Sequence, residues 1–279
     1  MQQNNNTLMS VPDLETRKNL LWLYLPILIA LLTLLIIWLL DMNVALFHRI
    51  NQISGWTGTQ LWQFLTIMGD GMISALLIAF WIKYKPEIAW SFIIATVIYL
   101  LLLNFLKDYF DFKRPPALLE PETFYLAGKA YMKRSFPSGH TTTIFALCGV
   151  ISFYYRSDKV RTLALIIAIL VGFSRVMIGV HWPADVFGGA ILGWFSAGIG
   201  IYLSKRSCWG YSKLVKYSLS TLFFITAIVL VFQYETGYPA AVLMQKFLGT
   251  FIICYLGFVY FLKDYIKPVI SLIQNLENS

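Results

Sequence analysis

The segment LLWLYLPILIALLTLLIIWLL, Leu20 to Leu40, carries no charged side chain. In hydrocarbon a backbone satisfies its own N–H and C=O groups over such a length only as a helix, and roughly 18 to 20 apolar residues suffice to cross. The run follows Arg17 and Lys18, is too long for the apolar core of a signal peptide, and has no small-residue cleavage site before Asp41. An uncleaved first membrane span is therefore expected. Comparable runs at about residues 61–83, 87–106, 140–155, 162–180, 186–203, 215–233 and 241–262 bring the expected number to eight. At 58% hydrophobic and 13% charged, with mean hydropathy +0.67, the 279-residue chain is more apolar than one soluble core requires. The fold class predicted is an all-α, polytopic transmembrane helical bundle.

Lysine and arginine accumulate in cytoplasmic loops, so they orient the bundle. With the N-terminus inside, thirteen of the 22 basic residues fall on the inner side and nine on the outer. Seven of those nine lie between Lys107 and Arg134 or at Arg175, which points to a demand for positive charge outside. This distribution predicts an inner (cytoplasmic) membrane protein with a cytoplasmic N-terminus. The net charge of +8 does not imply nucleic acid, because charge divided among short loops makes no continuous groove for a phosphate backbone. Membrane lipids are the partners expected, and anionic headgroups account for the inner charges.

Two features receive bland readings. Residues 42–60 mix apolar and polar positions with Trp56 and are expected along the outer interface, partly as helix; His48 within them has no partner motif and reads as an interfacial histidine. Cys148 and Cys254 fall in predicted spans and Cys208 in an inner loop, so no disulfide framework is expected.

Three polar clusters interrupt the apolar pattern. The first is Lys107, six residues, then Arg114-Pro115; the second is Pro137-Ser138-Gly139-His140; the third runs Ser174-Arg175, five residues, His181, three residues, Asp185. A loop joins the first to the second, and two whole spans separate the second from the third, so all three emerge on one membrane face. Singly, the basic residues could snorkel to headgroups and His181 could be an interfacial ring. Together they assemble a chemistry. Lys107, Arg114 and Arg175, with the amides around Ser138 and Gly139 at a helix entry, make a cage for a tetrahedral oxyanion such as phosphate. Asp185, in the first turn after Pro183, can reach back to His181 and orient it as a nucleophile. His140 is placed to protonate a leaving alkoxide.

These residues resemble the motifs of the type 2 phosphatidic acid phosphatases, known as PAP2, whose membrane members share a core with vanadium haloperoxidases and bacterial acid phosphatases. The resemblance runs from Lys107 to Asp185 and implies a six-span catalytic core over residues 20–203, after a cytoplasmic segment at 1–19. It implies that His181 attacks phosphorus, Asp185 orients it and His140 protonates the leaving group, with Lys107, Arg114, Ser138, Gly139 and Arg175 binding phosphate and no metal or other cofactor. The expected activity is release of inorganic phosphate, outside the membrane, from a lipid such as undecaprenyl pyrophosphate, phosphatidylglycerophosphate, phosphatidic acid or lipid A phosphate. Residues 204–279 exceed that core by two spans, read as packing, a lipid-facing wall or a homo-oligomer contact without chemistry. The alternatives are transfer of the phosphoryl group to another lipid, and an anion or lipid transporter. Against the transporter, the charges cluster at one face and no acidic or basic residue is expected midway along a broken span.

Overall fold

The computed structural model describes residues 17–259, and every regular element among them is helical. Helix α1 (Arg17–Leu39) is followed by two short helices, α2 (Asn43–Asn51) and α3 (Ile53–Thr57), where the interfacial segment was expected. Then come α4 (Thr59–Ile67), α5 (Gly71–Ile78), α6 (Trp81–Tyr84) and α7 (Pro86–Phe110). A long connection leads to α8 (Gly139–Tyr154), α9 (Asp158–Met177) and α10 (Pro183–Ser204), and the described part closes with a hairpin of α11 (Lys213–Phe232) and α12 (Val242–Gly257).

Six of these helices are long and apolar enough to cross a membrane, and the pair formed by α4 and Gly71–Tyr84 makes a seventh if a bent span is counted. Two of the eight expected spans depart from a plain crossing helix. Between α4 and α5 the axis turns by 57°. Asp70 stands at the break in extended conformation and caps α5, accepting from the amides of Met72 and Ile73. A carboxylate is a strong N-cap, so it ends one helix and starts the next. A buried acidic residue therefore does occupy a broken span, where none was expected. The second is α8. Its 16 residues rise only about 24 Å, short of the roughly 30 Å of hydrocarbon, and most of its side chains are buried.

Helix α10 lies at the centre, packed against α8, α7 and α1. Its sequence explains why neighbours come so close. A Cβ on Gly189 would meet the Ser138 carbonyl at 2.7 Å, one on Gly193 the Thr142 carbonyl, and one on Gly200 the Ser91 carbonyl and Ala95. Such small-residue faces let backbones pack by dispersion where lipid offers no hydrophobic drive for association. Between them Trp194 is fully buried, and its indole N–H donates to the Trp22 carbonyl, tying α10 to α1.

At the end of the bundle opposite the long connection, polar groups satisfy one another. The Ser91 hydroxyl bonds those of Tyr154 (2.9 Å) and Ser204 (2.7 Å), and Trp81 donates to Tyr155. The guanidinium of Arg161, 1% exposed, donates to the Ser152 carbonyl and the Asn19 side chain. The ends of α7, α8, α9 and α10 that carry the three polar clusters are thus gathered at one end only.

Replacing Gly189 with valine drives a branched side chain into the Ser138 carbonyl and should cost ~1–3 kcal/mol. Thermal unfolding in detergent should show a lowered midpoint, whereas Gly71→Ala, where no atom lies within 4 Å, should leave it unchanged.

Candidate active site

The last turn of α7 carries Lys107, and the chain leaves that helix through Asp111 in left-handed conformation. The following loop supplies Arg114; Ser138 caps α8; Arg175 is in the last turn of α9; His181 lies in the short turn before α10; Asp185 is in the first turn of α10.

His181, 2% exposed, places Nδ1 3.0 Å from Oδ2 of Asp185 and Nε2 3.1 Å from Nη1 of Arg114. A guanidinium has no acceptor, so Nε2 must accept and the neutral ring must carry its proton on Nδ1. The two contacts together fix the tautomer. Burial pushes this imidazole well below its usual titration range, and the charges of Arg114, Arg175 and Lys107 and the His140 ring act in the same direction. The result is a neutral ring whose Nε2 lone pair faces a cation.

Asp185 is itself held. Its Oδ2 also accepts from the Ser135 hydroxyl and, at 2.9 Å, from the amide of Trp182, the residue that opens α10. Its main-chain carbonyl accepts from the Ser138 amide at 3.0 Å, which joins the starts of α10 and α8.

The cations are oriented by neutral oxygens. Arg114, 8% exposed, donates from Nε to the Lys133 carbonyl (2.9 Å), from Nη1 to Val180 and from Nη2 to Arg134. Lys107 Nζ reaches the same Arg134 carbonyl at 3.3 Å. Arg134 has φ +57°, a left-handed backbone that turns this carbonyl toward the two cations. Arg175 donates to the hydroxyls of Thr66 (2.6 Å) and Tyr238 (2.7 Å), and its buried Nε has no acceptor among the described residues. None of Arg114, Arg175 and Lys107 has a carboxylate within ion-pair distance among the described residues. Three cations without counter-charge in a partly desolvated site attract an anion strongly.

His140 occupies the first turn of α8, half-buried and without a hydrogen-bond partner among the described residues. Its backbone is pressed against Gly69, where a Cβ would lie 2.7 Å from the His140 carbonyl oxygen and 3.0 Å from its Cβ. Ser138, expected among the phosphate ligands, spends its amide on Asp185, and its hydroxyl oxygen accepts from Thr141. The amides of Gly139 and His140, at the helix entry, have no acceptor among the described residues. Among those residues, no group of three or more His, Cys, Asp and Glu side chains could hold a metal ion.

Several supporting residues escaped the motif reading. Asn51, on α2, donates to the carbonyls of Tyr125, Val176 and Met177 and accepts from the Tyr125 amide, binding the long loop to the end of α9. Trp182 donates to the Lys113 carbonyl. Tyr238 belongs to the α11–α12 connection, so the C-terminal pair, read as packing without chemistry, reaches the Arg175 side chain. His48 packs edge-on to Phe47 and stays outside the cluster.

The PAP2 superfamily profile matches residues 88–209, a stretch that holds all eight site residues. The undecaprenyl-diphosphatase of Sulfolobus acidocaldarius is 35% identical over 167 residues, covering 55% of this chain and 75% of that protein. This chain belongs to the PAP2 superfamily. It is a multi-pass membrane protein and a phosphatase. A second relative, the lipid A 1-phosphatase of Rhizobium etli, is 36% identical over 111 residues, 38% of this chain and 47% of that protein. Among solved structures, Aquifex aeolicus LpxE superposes with a TM-score of 0.54 at 29% identity, covering 58% of this chain and 95% of the other. The PAP2 match ends at residue 209, before the α11–α12 hairpin.

The chain has three histidines, so ¹⁵N imidazole spectra can be assigned by single substitutions. The His181 ring should remain the neutral Nδ1–H tautomer at pH 6.5 and well below it. Because the unfolded chain would bind a proton that the folded site refuses, stability should fall as pH drops below about 6.5 toward the folded-state value. A cationic His181 at pH 6.5 would contradict the geometry.

Proposed function

We propose that this protein removes phosphate from lipid phosphates or pyrophosphates through a phosphohistidine on His181, at the extracytoplasmic face of the cell membrane. The observation that carries the reading is the His181 ring itself, its Nδ1–H directed at Asp185 and its Nε2 lone pair beside the uncompensated Arg114 guanidinium. An anion drawn to Arg114, Arg175 and Lys107 meets that lone pair. Nε2 forms a bond to phosphorus while the P–O bond to the lipid breaks, and His140, which takes up a proton from solvent when the phosphate dianion enters beside it, delivers that proton to the departing oxygen. Asp185 stabilises the positive charge that His181 acquires. Water then attacks phosphorus, the neutral His140 ring takes its proton, the P–N bond breaks, and inorganic phosphate leaves. The amides of Gly139 and His140 and the cations bind the oxygens on which charge accumulates.

A lipid substrate is supported by the surroundings. A groove lined by Leu34, Leu102, Leu106, Phe136, Ile191 and Phe195 runs beside the site, with Leu106 next to Lys107 and Pro137 next to Ser138. It offers an apolar path for a chain whose headgroup lies among the cations. Undecaprenyl diphosphate and lipid A 1-phosphate, the substrates named in the relatives, both combine such a chain with a phosphate. For a diphosphate the leaving group is the lipid monophosphate, and for a monophosphate the lipid alcohol.

Purified protein should release phosphate from one or more of these lipids with chelator present. His181→Ala should lower kcat by at least about 10³-fold, the usual scale for loss of a nucleophile; undiminished release would refute the mechanism. His140→Ala should slow hydrolysis of a lipid monophosphate, whose departing alkoxide must be protonated, much more than that of p-nitrophenyl phosphate, whose leaving group needs no proton. Mass spectrometry with an added acceptor lipid should find free phosphate as the product, and phosphorylated acceptor would instead identify a transferase. For orientation, Lys129→Cys should react with a membrane-impermeant maleimide in intact cells and Lys159→Cys only after permeabilisation.

A further inference from the structure

We infer that the α11–α12 hairpin, which lies beyond the PAP2-matched region, supplies a positioning residue to the catalytic centre: Tyr238, which aims the Arg175 guanidinium at the substrate phosphate without neutralising it. The inference rests on the phosphate-site reading above. Arg175 is 2% exposed, and Nη1 is committed twice, to the Thr66 hydroxyl at 2.6 Å and to the Tyr238 hydroxyl at 2.7 Å. The guanidinium carbon lies 5.8 Å from the centre of the Tyr238 ring. Its Nε is buried and finds no acceptor among the described residues. One edge of the group is thus pinned while another donor remains unspent.

The choice of holding groups matters. A carboxylate would fix an arginine more firmly, but it would cancel the charge that the site needs and compete with the phosphate for it. Hydroxyl oxygens from Thr66 and Tyr238 orient the fork and leave its full unit of charge available. They come from separate elements, the end of α4 and the α11–α12 connection, so Arg175 is correctly aimed only when the hairpin is docked.

Tyr238 is rigid enough for this role. It is 4% exposed, and Gly128 of the long loop, at φ +82°, closes over it so tightly that a Cβ there would lie 2.7 Å from the tyrosine ring. The rest of the connection is anchored to the broken span. Tyr234 donates to Oδ2 of Asp70 at 2.7 Å, and the Ala240 amide donates to the Gln63 side chain at 3.1 Å. The break in that span, its cap and the hairpin form one support behind Arg175.

The test uses the full-length protein. Tyr238→Phe keeps the ring and removes the contact, and kcat/KM for phosphate release should fall about 10-fold, the size of a lost hydrogen bond to a charged group. The inhibition constant of orthovanadate should rise by a similar factor. Thr66→Val should act in the same way and give a second route should the first variant fold poorly. In an Arg175→Ala background, Tyr238→Phe should have no further effect, because its action passes through that arginine. Wild-type kcat/KM and vanadate inhibition in Tyr238→Phe, or an undiminished effect in the Arg175→Ala background, would overturn the inference. If the wild-type protein hydrolyses no lipid phosphate, the functional reading fails on its own. Stabilisation of the protein against heat by inorganic phosphate then decides the role of Tyr238, with weaker stabilisation of Tyr238→Phe expected and equal or absent stabilisation counting against it.

Discussion

Oδ2 of Asp185 accepts from three directions at once: the imidazole of His181, the hydroxyl of Ser135 and the amide of Trp182. Each bond belongs to a different level of the structure. The amide bond starts α10, the central helix; the serine bond fastens the end of the long loop; the imidazole bond fixes a tautomer. The carbonyl of the same residue accepts from Ser138 and so sets α8 against α10. A buried carboxylate is costly to desolvate unless it is fully hydrogen-bonded, and here that satisfaction also assembles the site. The glycine face of α10 makes it possible, since Gly189 lies against the Ser138 carbonyl where any side chain would force the two helix starts apart.

The cations show the complementary principle. Arg114 is held by carbonyls of Lys133, Arg134 and Val180, and Arg175 by two hydroxyls. These acceptors determine direction and leave charge. Elsewhere the chain does pair opposite charges, as Arg134 with Asp108 at 2.9 Å on the exposed side of the same loop. The contrast between a solvent-side arginine with a carboxylate and two buried arginines without one is what the proposed phosphate chemistry requires.

Much of this was legible in the sequence because its signals are local. Apolar runs, interrupted by Lys107, Arg114, the Pro137-Ser138-Gly139-His140 turn and the Arg175 to Asp185 segment, indicate helices whose ends meet on one side, and counting crossings places them there. The i, i+4 spacing of His181 and Asp185 across a helix start likewise predicts their contact. What could not be read depends on partners remote in sequence. Asn51 is one polar residue in a mixed polar and apolar stretch until three carbonyls from residues 125, 176 and 177 surround it. Tyr238 sits in a turn rich in Gly and Pro, and no local pattern connects it with Arg175. The break at Gly69-Asp70 carries a visible cap residue, but the hydropathy of the run around it reads as one continuous span, and the partner that completes it, Tyr234, is 164 residues away.

The short length of α8 has a geometric implication for any lipid that reaches His140. With its far end at one interface, a helix rising about 24 Å stops roughly 6 Å before the other edge of the hydrocarbon. On that placement the groups at its start would sit in a recess below the headgroup plane. On the proposed lipid-phosphatase reading a phosphate would sink by that amount, drawn down by the cations, while its hydrocarbon anchor bends to follow. Long, pliant anchors tolerate such a descent better than short, stiff ones.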